Sequence, residues 1–147
     1  MVNVFLVDDS PLLRDRLKDM LLTVPGIEIA GEADNSRTAI DGILRLNPDV
    51  VIVDIRMPGG SGMEVIESIQ KVDLPAAVIV LTNYPYRQYR ERCLTLGADF
   101  FLDKSNDFER IPEVLEQLMQ ASGARGKKAK RAKHESVNKD CSKGRLN

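Results

Sequence analysis

Three aspartates stand where apolar runs stop. Val2-Asn-Val-Phe-Leu-Val7 leads straight into Asp8 and Asp9, and Asp49-Val-Val-Ile-Val53 leads into Asp54. A charge at the end of a buried strand is costly unless something compensates it. If the two runs lie side by side and parallel, all three carboxylates converge at one sheet edge. Pooled carboxylates repel one another, and a hard divalent cation held by oxygens and water relieves that repulsion. Mg²⁺ fits this chemistry, with Mn²⁺ as the alternative. One carboxylate oxygen at such an edge could react with an incoming phosphoryl group, whose charge the cation would shield. Two further groups follow apolar runs in the same manner: Thr82 after Ala76-Ala-Val-Ile-Val-Leu81, and Lys104 after Phe100-Phe-Leu102. They add a hydroxyl and an ammonium. Asp34 also closes a strand-like stretch, but a helix cap or turn accounts for it.

Taken singly, each residue has a plainer explanation. Asp8 and Asp9 would cap a helix, Asp54 would be a turn carboxylate, Thr82 a helix cap and Lys104 a solvated lysine. Their recurrence at successive strand ends is what favours a shared site.

The elements that must position these groups alternate along the chain. Strands are predicted at Val2–Val7, Ile27–Ala33, Asp49–Val53, Ala76–Leu81 and Phe100–Leu102, with Glu28 and Glu32 as exposed or rim positions of the second. The first helix opens with Ser10 as cap and Pro11 in its first turn, where a missing donor costs nothing. Leu12, Leu13, Leu17, Met20 and Leu21 give it helical spacing. Asn35-Ser36 caps a second helix with Ala39, Ile40, Ile43 and Leu44 as its apolar positions, ending before Pro48. Met63, Val65, Ile66 and Ile69 mark a third. A fourth is expected over Tyr84–Leu96, with Pro85 in its first turn and Gly97 as its stop. Phe108–Met119 forms the fifth, with Ile111, Val114, Leu115 and Leu118 as its buried stripe. Gly59, Gly60 and Gly62 make a turning loop; no Gly-Lys-Ser/Thr follows, so it is no P-loop.

Five strands alternating with five helices through short connections read as an α/β fold with a doubly wound parallel sheet. Right-handed crossovers put every C-terminal strand end on one edge. Ligands bind outside that edge, where the strand order reverses.

Composition narrows the function classes. The 147 residues suffice for one hydrophobic core. No apolar run reaches membrane-spanning length, and no secretory leader pattern opens the chain. A reducing, cytoplasmic setting fits. Cys93 and Cys141 lack metal-site spacing and do not suggest a disulfide scaffold. Charge divides the chain in two: residues 1–122 hold 12 Lys/Arg against 20 Asp/Glu, a net of −8, and residues 123–147 hold 9 against 2, a net of +7. The second part lacks large apolar side chains and is expected to be a disordered tail. Its basic run, Arg125 to Lys133, could solubilise the chain, lie on its acidic body, or touch nucleic-acid phosphates or an acidic membrane weakly. It is too short and polar for a helix-turn-helix.

The ordered series Val-Asp8-Asp9-Ser, Val-Asp54-Ile-Arg-Met-Pro58-Gly-Gly-Ser-Gly62, Val-Leu-Thr82-Asn and Gly97-Ala-Asp-Phe-Phe101-Leu-Asp-Lys104-Ser resembles the receiver domain of two-component response regulators. The likeness covers residues 1–121. It implies a flavodoxin-like sheet of strand order 2-1-3-4-5. It implies that Asp54 accepts a phosphoryl group from a histidine kinase or phosphotransfer protein. By the same resemblance Asp9 is a direct Mg²⁺ ligand, Asp8 acts through water or as a second contact, and the Arg56 carbonyl adds a ligand. Lys104 would pair with the phosphoryl oxygens, Thr82 would donate its hydroxyl to them, and Phe101 would turn inward as Thr82 moves. A downstream protein would then dock on the surface of the fourth helix, fifth strand and fifth helix.

Several positions depart from the family pattern. Ser105 stands where proline is common, Asn83 where a small residue is common, and Phe101 lacks the usual tyrosine hydroxyl. Arg56, Asn83 and Tyr84 are expected to tune dephosphorylation. Tyr84, Tyr86 and Tyr89 could form a partner surface. The expected function is a phosphoacceptor switch or relay, acting as monomer or homodimer. Alternatives are a DNA-associated regulator using its basic tail and a receiver that acts unphosphorylated. A metal-dependent phosphatase would need a substrate-binding insertion, and none is evident.

Overall fold

The computed structural model describes residues 1–125; positions 126–147, most of the basic tail, lie outside the described residues. Five parallel strands form the main sheet: β1 (Val2–Val7), β2 (Ile27–Ala33), β3 (Val50–Val53), β4 (Ala77–Thr82) and β5 (Phe100–Asp103). Their spatial order is β2-β1-β3-β4-β5, the expected order. Five helices connect or follow them: α1 (Pro11–Leu21), α2 (Ser36–Leu46), α3 (Gly62–Lys71), α4 (Arg87–Leu96) and α5 (Ile111–Arg125).

Alternation along each strand sends side chains to two separate cores, as a sheet covered on both faces requires. Phe5, Val51, Val53, Val78, Val80 and Phe101 pack with Ile43 of α2, Ile66 of α3 and Cys93 of α4. Val4, Leu6, Ile52, Ile79 and Leu102 pack with Leu17 of α1 and Leu115 of α5. Leu17 and Leu115 are at most 1% exposed, and each such burial contributes roughly 1.5–3 kcal/mol. Burial also pushes the Cys93 thiol up to about 11, so at neutral pH it is an inert part of that core.

Register aligns the strand ends. Val7 sits opposite Val53, Val53 opposite Val80, and Thr82 opposite Asp103. Backbone bonds continue the ladders one step further. The Asp8 N–H donates to Ala33 at 3.1 Å, the Asp54 N–H to Val7 at 3.0 Å and the Lys104 N–H to Thr82 at 2.8 Å. The three residues are therefore fixed by main-chain bonds before their side chains interact.

Helix ends follow the local chemistry. Ser10 caps α1 by accepting the Leu13 N–H, and Asn35 caps α2 by accepting that of Thr38. Asn47 closes α2 in the left-handed conformation just before Pro48. Three expectations need correction. The fourth helix starts at Arg87, because Tyr84 to Tyr86 remain outside it and Tyr86 is extended. Leu12 is 71% exposed and Leu44 44%, so both lie outside the apolar stripes assigned to them. The last helix is preceded by a 3₁₀ turn over Phe108–Arg110. It then runs to Arg125.

Candidate phosphoacceptor site

The aligned strand ends bring Asp8, Asp9 and Asp54 together, with one ligand atom from each lying within 4.8 Å of the others. Asp8 and Asp54 are buried, whereas Asp9 is exposed. The Lys104 ammonium sits between the two buried acids, 2.8 Å from Asp8 Oδ2 and 3.2 Å from Asp54 Oδ2. Asp54 Oδ1 has no hydrogen-bond partner among the described residues although it is buried. An orphaned buried carboxylate oxygen is expensive.

Electrostatics follow from this packing. Burial raises the pKa of Asp54, the Lys104 charge opposes that rise, and the Asp8 charge adds to it; the net displacement is upward. Burial alone would lower that of Lys104, but its hydrogen bond to Asp8 and the charges of both acids outweigh it and raise the pKa. For Asp54, ionisation in the folded state costs stability above the folded pKa, and this cost vanishes below the ordinary carboxylate pKa. In cation-free buffer at neutral pH, Asp54→Asn is therefore expected to stabilise the protein by about 1 kcal/mol, roughly 3 °C in melting temperature. The gain should fade as pH falls to about 4. Thermal scans across pH check this, and a variant less stable at neutral pH would contradict it.

The acids suit a cation. Two ligands of one Mg²⁺ lie at most about 4.2 Å apart, twice the usual Mg–O distance. Small side-chain rotations, or an intervening water, bring three oxygens of this spacing onto one ion.

The remaining expected residues surround this centre. Thr82 is fully buried, and its Oγ1 accepts the Tyr84 N–H at 3.0 Å. Arg56 belongs to a small antiparallel hairpin, Arg56–Met57 with Gly60–Ser61, that follows Asp54. The guanidinium of Arg56 stacks over the Tyr84 ring at 4.5 Å, joining the loops after β3 and β4. Asn83 is exposed beside them. Phe101 is 9% exposed and already packed in the core under α4. The rings of Tyr84, Tyr86 and Tyr89 follow one another at 6.4 and 5.9 Å.

Other positioning groups carried no local signal. Arg14 donates to the Asp8 carbonyl oxygen and pairs with Glu32 at 2.7 Å. Burial and Lys18 also act on Glu32: its hydrogen bond to Lys18 is the main cause of its lowered pKa. Gly62 lies so close to the Asp54 carbonyl that a Cβ there would be 2.0 Å from the oxygen. Only the absence of a side chain lets α3 begin beneath the acceptor strand.

Residues 4–116 match the response regulator receiver domain. The chain belongs to that family. This receiver is 36% identical over 115 residues to the chemotaxis protein CheY of Thermotoga maritima, covering 78% of the chain and 95% of that protein. It is 37% identical over 139 residues to a protein-glutamate methylesterase/protein-glutamine glutaminase of Alkalilimnicola ehrlichii. That match covers 89% of the chain but only 35% of the larger protein. A crystal structure of a LuxR-family DNA-binding response regulator from Staphylococcus aureus superposes with a TM-score of 0.75 at 29% identity, covering 80% of this chain and 98% of that one. Among the described residues no helix is long and apolar enough to cross a membrane.

Proposed function

We propose that this receiver is a phosphoacceptor switch in which Asp54 takes a phosphoryl group from a histidine kinase, a phosphotransfer protein or a small phosphodonor. One observation carries the reading: the buried Asp54 carboxylate has one oxygen held by Lys104 and the other unpartnered among the described residues. The free oxygen is the nucleophile. It attacks phosphorus, the bond to the donor breaks, and the donor atom leaves with its electron pair. Lys104 neutralises charge on the phosphoryl oxygens, and Thr82 turns its hydroxyl hydrogen toward them. Asp9, Asp8, Asp54 and the Arg56 carbonyl would hold Mg²⁺. When bound, the ion would offset the charge of donor and acceptor oxygens, the main requirement of phosphoryl transfer.

The aspartyl phosphate adds about 1.5–2 negative charges, which biases two existing packings rather than building a new one. Movement of Thr82 toward the phosphoryl group releases the Tyr84 N–H, and Phe101 repacks with it. That couples the site to α4, β5 and α5, where a downstream protein docks. The Arg56 guanidinium stacked on the Tyr84 ring, with Asn83, flanks the approach of water and so tunes dephosphorylation. Intact-mass measurement after incubation with acetyl phosphate and Mg²⁺ tests the reading. One added phosphoryl group, absent with a chelator, is expected; no addition would leave only a receiver that acts unphosphorylated.

The charge of the tail, +7 over residues 123–147, favours a second role in weak association with DNA. Such binding should weaken steeply with salt and vanish when residues 123–147 are removed.

A further inference from the structure

We infer that Ser36 and Glu64 are positioning residues for the cation site, acting through the hairpin that carries Arg56. This inference rests on the phosphoacceptor reading. Ser36 opens α2 and is 5% exposed. Its hydroxyl donates to Glu64 Oε1 at 2.9 Å across 28 residues of sequence. The same oxygen faces the Ser61 N–H at 3.4 Å, and Ser61 caps α3 by accepting the Met63 N–H at 3.1 Å. A single carboxylate oxygen thus gathers one donor from α2 and one from the hairpin.

The hairpin has few other restraints toward α2. Ser61 pairs with Arg56 across it, so any displacement of Ser61 moves the Arg56 main chain. Gly60 lies against Ser36: a Cβ at that position would be 2.2 Å from the Ser36 Oγ. Ser36 is therefore both a hydrogen-bond donor to the hairpin's anchor and a wall against its turn. On the other side the Gly62 N–H donates to the Ile55 carbonyl at 2.8 Å, tying the hairpin's exit to the residue after Asp54. Ser36 and Glu64 touch none of the reacting atoms. They fix the segment that follows Asp54 and carries Arg56, whose carbonyl would serve the cation.

Removing the Ser36 hydroxyl leaves Glu64 with only the longer contact and opens space beside Gly60. The Arg56 main chain then samples more positions, and the cost falls on cation binding rather than on folding. Supporting groups of this kind typically change metal affinity by 10- to 100-fold; for a site that keeps its carboxylate ligands, about fivefold to tenfold is expected.

The test is calorimetric titration of Mg²⁺ into the whole chain, for wild type, Ser36→Ala and Ser36→Thr, with a thermal scan of each in chelator. Ser36→Ala should weaken Mg²⁺ binding about fivefold to tenfold while Ser36→Thr, which keeps the hydroxyl, stays within about twofold of wild type. The rate of acetyl phosphate incorporation by Ser36→Ala should recover at saturating Mg²⁺. Wild-type Mg²⁺ affinity in Ser36→Ala overturns the inference and leaves the phosphoacceptor reading intact. Equal weakening in Ser36→Thr overturns it too, by showing a packing effect. Absence of Mg²⁺ binding in the wild-type protein overturns both.

Discussion

Replacing Lys104 by Met should slow phosphoryl incorporation from acetyl phosphate by roughly two to three orders of magnitude at saturating Mg²⁺, the cost of losing one preorganised donor to developing charge. Met keeps most of the side-chain stem, so packing near β5 changes little. The ammonium, however, bridges Asp8 and Asp54 at 2.8 and 3.2 Å. Without it, two buried carboxylates face each other uncompensated. In cation-free buffer the variant should lose about 2–4 kcal/mol of stability, less than a fully dry pair because solvent reaches the site at the exposed Asp9. Mg²⁺ should restore much of that stability without restoring the rate. Rapid-quench incorporation assays and chemical denaturation with and without Mg²⁺ separate the two effects. A variant that is stable without the ion, or phosphorylated at the wild-type rate, would show that Lys104 is not the site's fixed cation.

Among the described glycines, Gly62→Ala should be the most damaging substitution. The added carbon would lie 2.0 Å from the Asp54 carbonyl oxygen, 2.9 Å from the Asp54 carbonyl carbon and 2.9 Å from Val53 Cγ2. Two of those neighbours are backbone, so no side-chain rotation relieves the clash. Either α3 withdraws from the sheet or the end of β3 shifts. The expected loss is about 3 kcal/mol, together with weaker Mg²⁺ binding, because the Asp54 main chain is displaced. Gly59→Ala is the contrast. Its φ of +78° disfavours alanine, but among the described residues nothing lies within 4 Å of the added carbon. Only about 1–2 kcal/mol of local strain is expected there, with Mg²⁺ affinity retained. Urea denaturation and Mg²⁺ titration of both variants check the pair; equal effects would contradict the close-approach account.

The readable parts of the sequence were those where local pattern and tertiary role agree. The run Val50–Val53 is buried on both faces, and its uninterrupted β-branched composition states as much. Asp8, Asp54 and Lys104 were legible because each ends such a run, and parallel register does the rest. Thr82 was placed for the same reason, whereas Phe101 was marked by the family resemblance alone.

The start of α4 was not legible. Pro85 suits a first helical turn, but the Thr82 hydroxyl takes the Tyr84 N–H, and the three tyrosine rings pack on one another. These local contacts, with the Arg56 guanidinium over the Tyr84 ring, hold that segment out of the helix. Leu12 misled because five leucine and methionine positions in α1 exceed what one stripe can bury. The hairpin after Asp54 has two-residue strands, too short for any periodicity. Arg14, Ser36 and Glu64 act through partners 18 to 28 residues away, and no local spacing encodes such pairs.

The residue-level position of the acyl phosphate tests the central claim most directly. The protein is loaded with acetyl phosphate and Mg²⁺, reduced with borohydride to convert any aspartyl phosphate to homoserine, and sequenced as peptides by mass spectrometry. Homoserine at position 54 alone, and none in Asp54→Asn, is the predicted result. Homoserine at Asp8 or Asp9, or a phosphoryl group found only on serine, threonine or histidine, would contradict the account.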